Sequence, residues 1–65
     1  MSAGEWGELL GILVNVRDEA KETAAFVADD DDSILPSLRY LEREAQRGVD
    51  LARRRALAEA GAGAA

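Results

Sequence analysis

Apolar residues recur every third or fourth position through the first half of the chain. Trp6, Leu9, Leu10, Leu13, Val16, Ala20, Thr23, Ala24 and Val27 fall in one broad stripe when each residue turns about 100° on a helix. Arg17 points into the same sector, where its stem can lie along apolar surface with the charge at the edge. The pattern predicts one helix over 5–28, about 36 Å long at ~1.5 Å per residue. Gly7 and Gly11 each weaken it by roughly 1 kcal/mol relative to Ala, so its first turns are expected to fray.

Asp29-Asp30-Asp31-Asp32 breaks the stripe, because four like charges repel and Asp is a poor helix former. In the Ser33-Ile34-Leu35-Pro36 that follows, Asp32 or Ser33 can cap a new helix, and Pro36 is tolerated in a first turn, where N–H groups lack intrahelical acceptors. The run therefore reads as a turn plus a helix start, with the acids beside the positive end of the helix dipole. A calcium loop needs alternating oxygen ligands, a central Gly and a distal Glu, which this contiguous run does not supply.

A second stripe, Ile34, Leu38, Leu41, Ala45, Gly48, Val49, Ala52 and Ala56, predicts a helix over 33–59. The low-complexity residues 61–65 are expected to form a flexible tail. The short connection folds the helices back on each other. The predicted fold is all-α: one antiparallel two-helix hairpin over residues 1–60, with helix 5–28, acidic turn 29–32 and helix 33–59. A single long bent helix is the rival, disfavoured by the four Asp and Pro36. In the hairpin register Val27 lies near Ile34, Ala20 near Leu41, Val16 near Ala45, Leu13 near Gly48 and Val49, and Trp6 near Ala52 and Ala56. Large side chains then face small ones, which lets the backbones approach closely.

Composition makes such a hairpin marginal. A chain of 65 residues buries only about 60% of its unfolded surface, and scaffolds this small usually rely on a disulfide, a metal or association. There is no Cys and no His, which removes disulfides, thiolate metal sites and the commonest zinc ligand. Association is the support that remains. The expectation is a bundle completed by self-association or by a partner, coiled-coil-like in its packing.

Charge is unevenly divided. Residues 1–32 carry nine acids and two bases, net −7; residues 33–65 carry four acids and six bases, net +2. The overall −5 argues against direct nucleic-acid binding. The longest apolar run, Ile12-Leu13-Val14, falls far short of the ~20 residues that span a bilayer, and Glu5 and Glu8 stand where a secretory signal would carry positive charge. A cytoplasmic or virion location without membrane contact is expected.

Catalytic chemistry is hard to assemble. The hydroxyls of Ser2, Thr23, Ser33, Ser37 and Tyr40 have no His partner. Glu19 and Glu22 lack the Glu-x-x-His element of helical metal sites. Gly4, Gly7 and Gly11 lack the strand and Lys-Ser/Thr ending of a phosphate loop. No enzyme, cofactor or metal is expected. Arg53-Arg54-Arg55 is either a solvated face near a helix C-terminus, where positive charge is favourable, or a phosphate or acidic-protein contact.

Two helices touching along one seam leave apolar surface over. Ile12 and Phe26 lie to the side of the first stripe, Tyr40 and Leu51 off the second, and Leu10, Leu35 and Leu57 are expected to be half covered. Aligned apolar residues on a chain with a thin core indicate a docking face. Trp6 either plugs the open end of the hairpin or anchors a partner, a role in which Trp is enriched. The candidate protein-binding residues are Trp6, Leu10, Ile12, Phe26, Tyr40 and Leu51.

The stretch Glu5-Trp6-Gly7-Glu8-Leu9-Leu10-Gly11-Ile12, followed by Arg17-Asp18-Glu19-Ala20, resembles the opening of small proteins encoded in the structural gene modules of actinobacterial tailed phages. The resemblance covers about a third of the chain, and Trp6 to Leu10 are its specific part. After about residue 24 the chain departs from those proteins: it lacks their Cys-containing segment and has a second helix instead. The resemblance implies a small virion or head–tail accessory protein bound to capsid, portal or tail subunits, and it carries over no catalytic residue. The Arg-over-Lys bias, seven to one, fits a high-GC host.

The expected function is thus a structural or interaction protein docked on a larger assembly, plausible for a phage, or self-assembled. Two rivals stand beside it: an acidic inhibitor that mimics nucleic acid, whose binding would weaken steeply with salt, and a docking domain that joins enzyme subunits.

Overall fold

The computed structural model describes residues 1–30 and 32–64. Helix α1 spans Ala3–Val27, a 3-10 turn spans Asp32–Ile34, and helix α2 spans Leu35–Ala64. The two helices pack antiparallel along one seam, giving Cα extents of 53 × 13 × 13 Å. This is the predicted all-α helical hairpin.

α1 starts two residues before its expected first residue, and the cause is local. Ser2 is the N-cap: its hydroxyl accepts from the Glu5 N–H at 3.2 Å, while the Glu5 carboxylate accepts from the Ser2 N–H at 2.9 Å. This reciprocal capping box satisfies two donors that a helix start otherwise leaves free. It counters the fraying expected from Gly7 and Gly11, and α1 is helical through both. The Ser2 N–H, then the Ser2 hydroxyl, hold the Glu5 carboxyl below its ordinary value.

α1 ends at Val27, and Ala28 keeps right-handed backbone angles (φ −58, ψ −33) while its N–H reaches the Ala24 carbonyl at 3.1 Å. The Asp30 N–H then reaches the Val27 carbonyl at 3.2 Å. No described residue has positive φ, so the chain reverses without a glycine. Of the expected acidic turn, Asp29 and Asp30 lie in a turn, Asp32 begins the 3-10 segment, and Asp31 lies outside the described residues. Pro36 is the second residue of α2, in the first turn that suits its missing N–H.

At its far end α2 continues through Ala64, so the flexible tail expected over 61–65 is corrected to helix as far as the description reaches; Ala65 lies outside the described residues. Ala60, Ala62 and Ala64, the best helix formers, alternate with Gly61 and Gly63, which each cost roughly 1 kcal/mol relative to Ala.

The fully buried set is small: Ala20, Ala24, Ala45, Val49 and Ala52, with Val49 at 0% exposure. Four methyls and one isopropyl group, seven carbons, contribute about 6 kcal/mol at ~0.8 kcal/mol per buried carbon. Close approach is what makes even this core possible. A Cβ on Gly48 would stand 3.0 Å from Leu13 Cδ1 and 3.3 Å from Cδ2, so Leu13 occupies the space that only glycine leaves open. Above and below that contact the seam is alanine.

Candidate functional site

Turning the helices at about 100° per residue divides the hairpin into two flanks, one on each side of the seam. One flank is polar. Arg17 reaches across from α1 and donates to Gln46 Oε1 at 3.0 Å; Gln46 in turn donates to Asp50 at 3.0 Å. Arg17 also pairs with Asp18 at 3.0 Å. Further along the same side Lys21 of α1 and Arg39 and Glu42 of α2 border Ala24, Ala25 and Ala28.

The other flank is apolar. Val16, Ala20 and Thr23 of α1 and Leu38 and Leu41 of α2 line a shallow open groove, edged by Asn15 and Glu19. Ile12 lies one turn before Val16 on the same face, Leu51 one turn beyond Gly48, and Ile34 two turns before Leu41. Ile12, Val16, Ile34, Leu41 and Leu51 are each between 45% and 53% exposed. With Leu13 against Gly48 and Arg17 against Gln46 setting the register, these five residues form a stripe about 25 Å long at ~1.5 Å per residue.

Three residues expected in the seam therefore belong to this surface. Val16, Leu41 and Ile34 were placed among the core stripes, and the structure exposes them, as it does Thr23. The reason is width. A seam between two helices whose backbones approach over Ala and Gly covers only the central rows, and Val16 and Leu41 sit on its shoulder. Val14, outside the expected stripe, is half-buried on the other shoulder.

Of the six candidate binding residues, Ile12 and Leu51 join the apolar flank. Phe26, 78% exposed, lies next to the end of α1, and Tyr40, 54% exposed, in the second turn of α2. Trp6 and Leu10 are half-buried toward the seam at the open end of the hairpin. Leu35 is half covered as expected, whereas Leu57 is exposed.

Among the described residues no group of three or more acidic, His or Cys side chains is placed to hold a metal ion. Glu44, bonded through both oxygens to Arg47 at 3.1 Å, is one of the few fixed charges bordering the apolar side. No helix is long and apolar enough to cross a membrane. Compared with protein-family models, with curated proteins and with solved structures, the chain matches none.

Proposed function

We propose that the chain is a non-enzymatic interaction module that uses its apolar flank to bind protein. One observation carries this reading: five large apolar side chains, each about half exposed, line up on one flank of a hairpin whose fully buried core is four Ala and one Val. Scattered apolar residues need no explanation, but an aligned stripe beside a thin core is the mark of a surface that works when covered. The polar flank supports the contrast, because Arg17 bonds Gln46 across the seam and Gln46 bonds Asp50 one turn along α2.

The setting proposed for this module is a larger assembly, and the resemblance of Trp6-Gly7-Glu8-Leu9-Leu10 to phage structural-module proteins points to a virion, at the capsid or the head–tail junction. Apolar docking is preferred to acidic mimicry because the groove itself is lined by Val16, Leu38 and Leu41, with charge only at its edge.

Photo-crosslinking tests the reading. A benzoylphenylalanine at position 16 of the full chain, expressed in its own host, should give discrete protein adducts, and the same probe at position 21 on the polar flank should give none. Adducts equal from both positions, or absent from position 16, overturn it.

A further inference from the structure

We propose that the apolar flank is covered by a second copy of the same chain, related by a two-fold axis parallel to the helices, so that α1 of each copy lies on α2 of the other. The inference rests on the reading of this flank as a binding surface and names its occupant.

Shape is the first argument. On the α2 side of the flank Leu13 fills the inner side of Gly48, and an outer gap beside Gly48 is lined by Leu51 together with Glu44, Arg47, Asp50 and Arg54; on the α1 side Ile12 and Val16 are about half exposed. Because Leu13 stands opposite Gly48, a second copy stacked at the same level brings its Ile12 and Val16 over that gap. Protrusion then meets recess twice, once on each side of the axis, which makes the surface self-complementary and the contact closed.

Charge selects the orientation. Flank-on-flank stacking by a two-fold axis has two forms, one with like helices in contact and one with unlike helices. Over Ala3–Val27, α1 carries five acids and two bases; over Leu35–Ala64, α2 carries four acids and six bases. Unlike stacking sets the acidic helix on the basic one. At the open end it brings Glu5 and Glu8 level with Arg55 of the other copy. In the middle Glu19 comes level with Glu44, whose charge Arg47 already offsets through two 3.1 Å bonds. The opposing cost is that both acidic turns lie at one end, about 10 Å apart, a separation at which ~0.1 M salt screens exposed charge.

Area is the third argument. Over the ~25 Å stripe a face 13 Å wide measures about 330 Å² in projection, which puts the pairing in the small, concentration-dependent class below standard interfaces of ~800 Å² per partner. The product is an all-antiparallel four-helix bundle, with Val16, Leu38 and Leu41 enclosed.

Sedimentation equilibrium of the full chain from ~1 μM to ~1 mM, the span of ordinary affinities, reads the outcome. The expected result is a monomer–dimer equilibrium reaching twice the 7.0 kDa chain mass. Leu41→Glu should weaken pairing by at least ~30-fold, and Lys21→Glu on the polar flank by less than ~3-fold. Glu8→Arg and Arg55→Glu should each weaken it by ~3–5-fold, and the two together should restore it. Circular dichroism checks that the variants stay helical, and Leu51→Gln serves if Leu41→Glu does not.

A monomer at ~1 mM, or a dimer indifferent to both flank substitutions, overturns the proposal. Failure of the charge swap to restore pairing overturns the unlike-helix orientation. The wider reading fails separately, since adducts from position 16 to a different protein uphold it even where self-pairing is lost.

Discussion

The two flanks of this hairpin border the same seam and have opposite fates. On one, Arg17 crosses from α1 to Gln46, Gln46 bonds Asp50, Lys21 and Arg39 stand in water, and Glu42 is half-buried. On the other, Ile12, Val16, Leu41 and Leu51 face outward with no polar group to satisfy and no apolar neighbour to cover them fully. The polar flank carries one strongly exposed large apolar side chain among the described residues, Leu57 (68% exposed), on the helical row of Gln46 and Asp50. The apolar flank carries the cost of hydrated hydrocarbon, and burying it is worth about 25 cal/mol for each Å² removed from water. What distinguishes them is not hydrophobic content at the seam, which both share, but the residues one position off it.

Substitutions that break the comparison begin with the seam. Val49→Asp places a charge at a position with 0% exposure and no partner, and it should unfold the hairpin outright, seen as loss of helical circular dichroism. Gly48→Leu overfills the space held by Leu13, 3.0 Å from the added Cβ. It should cost about 1–3 kcal/mol in chemical denaturation, despite the better helix propensity of Leu.

On the polar flank, Arg17→Ala removes the cross-seam bond to Gln46. Because the Arg17 side chain is 28% exposed, water replaces part of what is lost, and the expected cost is about 0.5–1 kcal/mol. Val16→Asn on the apolar flank should change monomer stability by less than about 0.5 kcal/mol. That small effect sharpens the contrast, since the same substitution should weaken pairing through this flank by ~10-fold or more in sedimentation equilibrium.

The smallest effect belongs to the first turn of α1. The Glu5 carboxyl is held below its ordinary value of 4.5 by the Ser2 N–H and hydroxyl. A lowered folded pKa stabilises the turn above the unfolded value, and that contribution is lost as pH falls through the folded one. Amide exchange at Trp6 should therefore accelerate as pH drops below about 4.5 relative to the intrinsic rate. In Ser2→Ala the turn should already be open near neutral pH.

Much of the fold was legible in the sequence. Two stripes at helical spacing, an acidic break and Pro36 gave the hairpin, and pairing large residues with small ones gave the Leu13–Gly48 contact. The Ser2-x-x-Glu5 capping box is equally readable, and it moves the helix start to Ala3, two residues before the expected Glu5. The seam's width was not readable. Val16 and Leu41 belong to helical stripes as regular as those of Ala20 and Ala45, and only the closeness of the backbones decides which rows are covered. For the same reason the exposure of the binding candidates was not readable: Ile12 and Leu51 are about half exposed, like Val16 and Leu41, while Phe26 is 78% exposed. The proposed setting in a larger assembly follows from the resemblance of five residues, Trp6 to Leu10.

Residue-by-residue NMR of the ¹⁵N-labelled chain on dilution tests the central claim most directly. The amide signals of Ile12, Val16, Leu41 and Leu51 should shift or broaden as concentration rises, while those of Arg17, Lys21, Arg39 and Gln46 hold still. Signals that move on the polar flank instead, or a spectrum indifferent to concentration on both, would contradict the assignment of the apolar flank as the contact between copies.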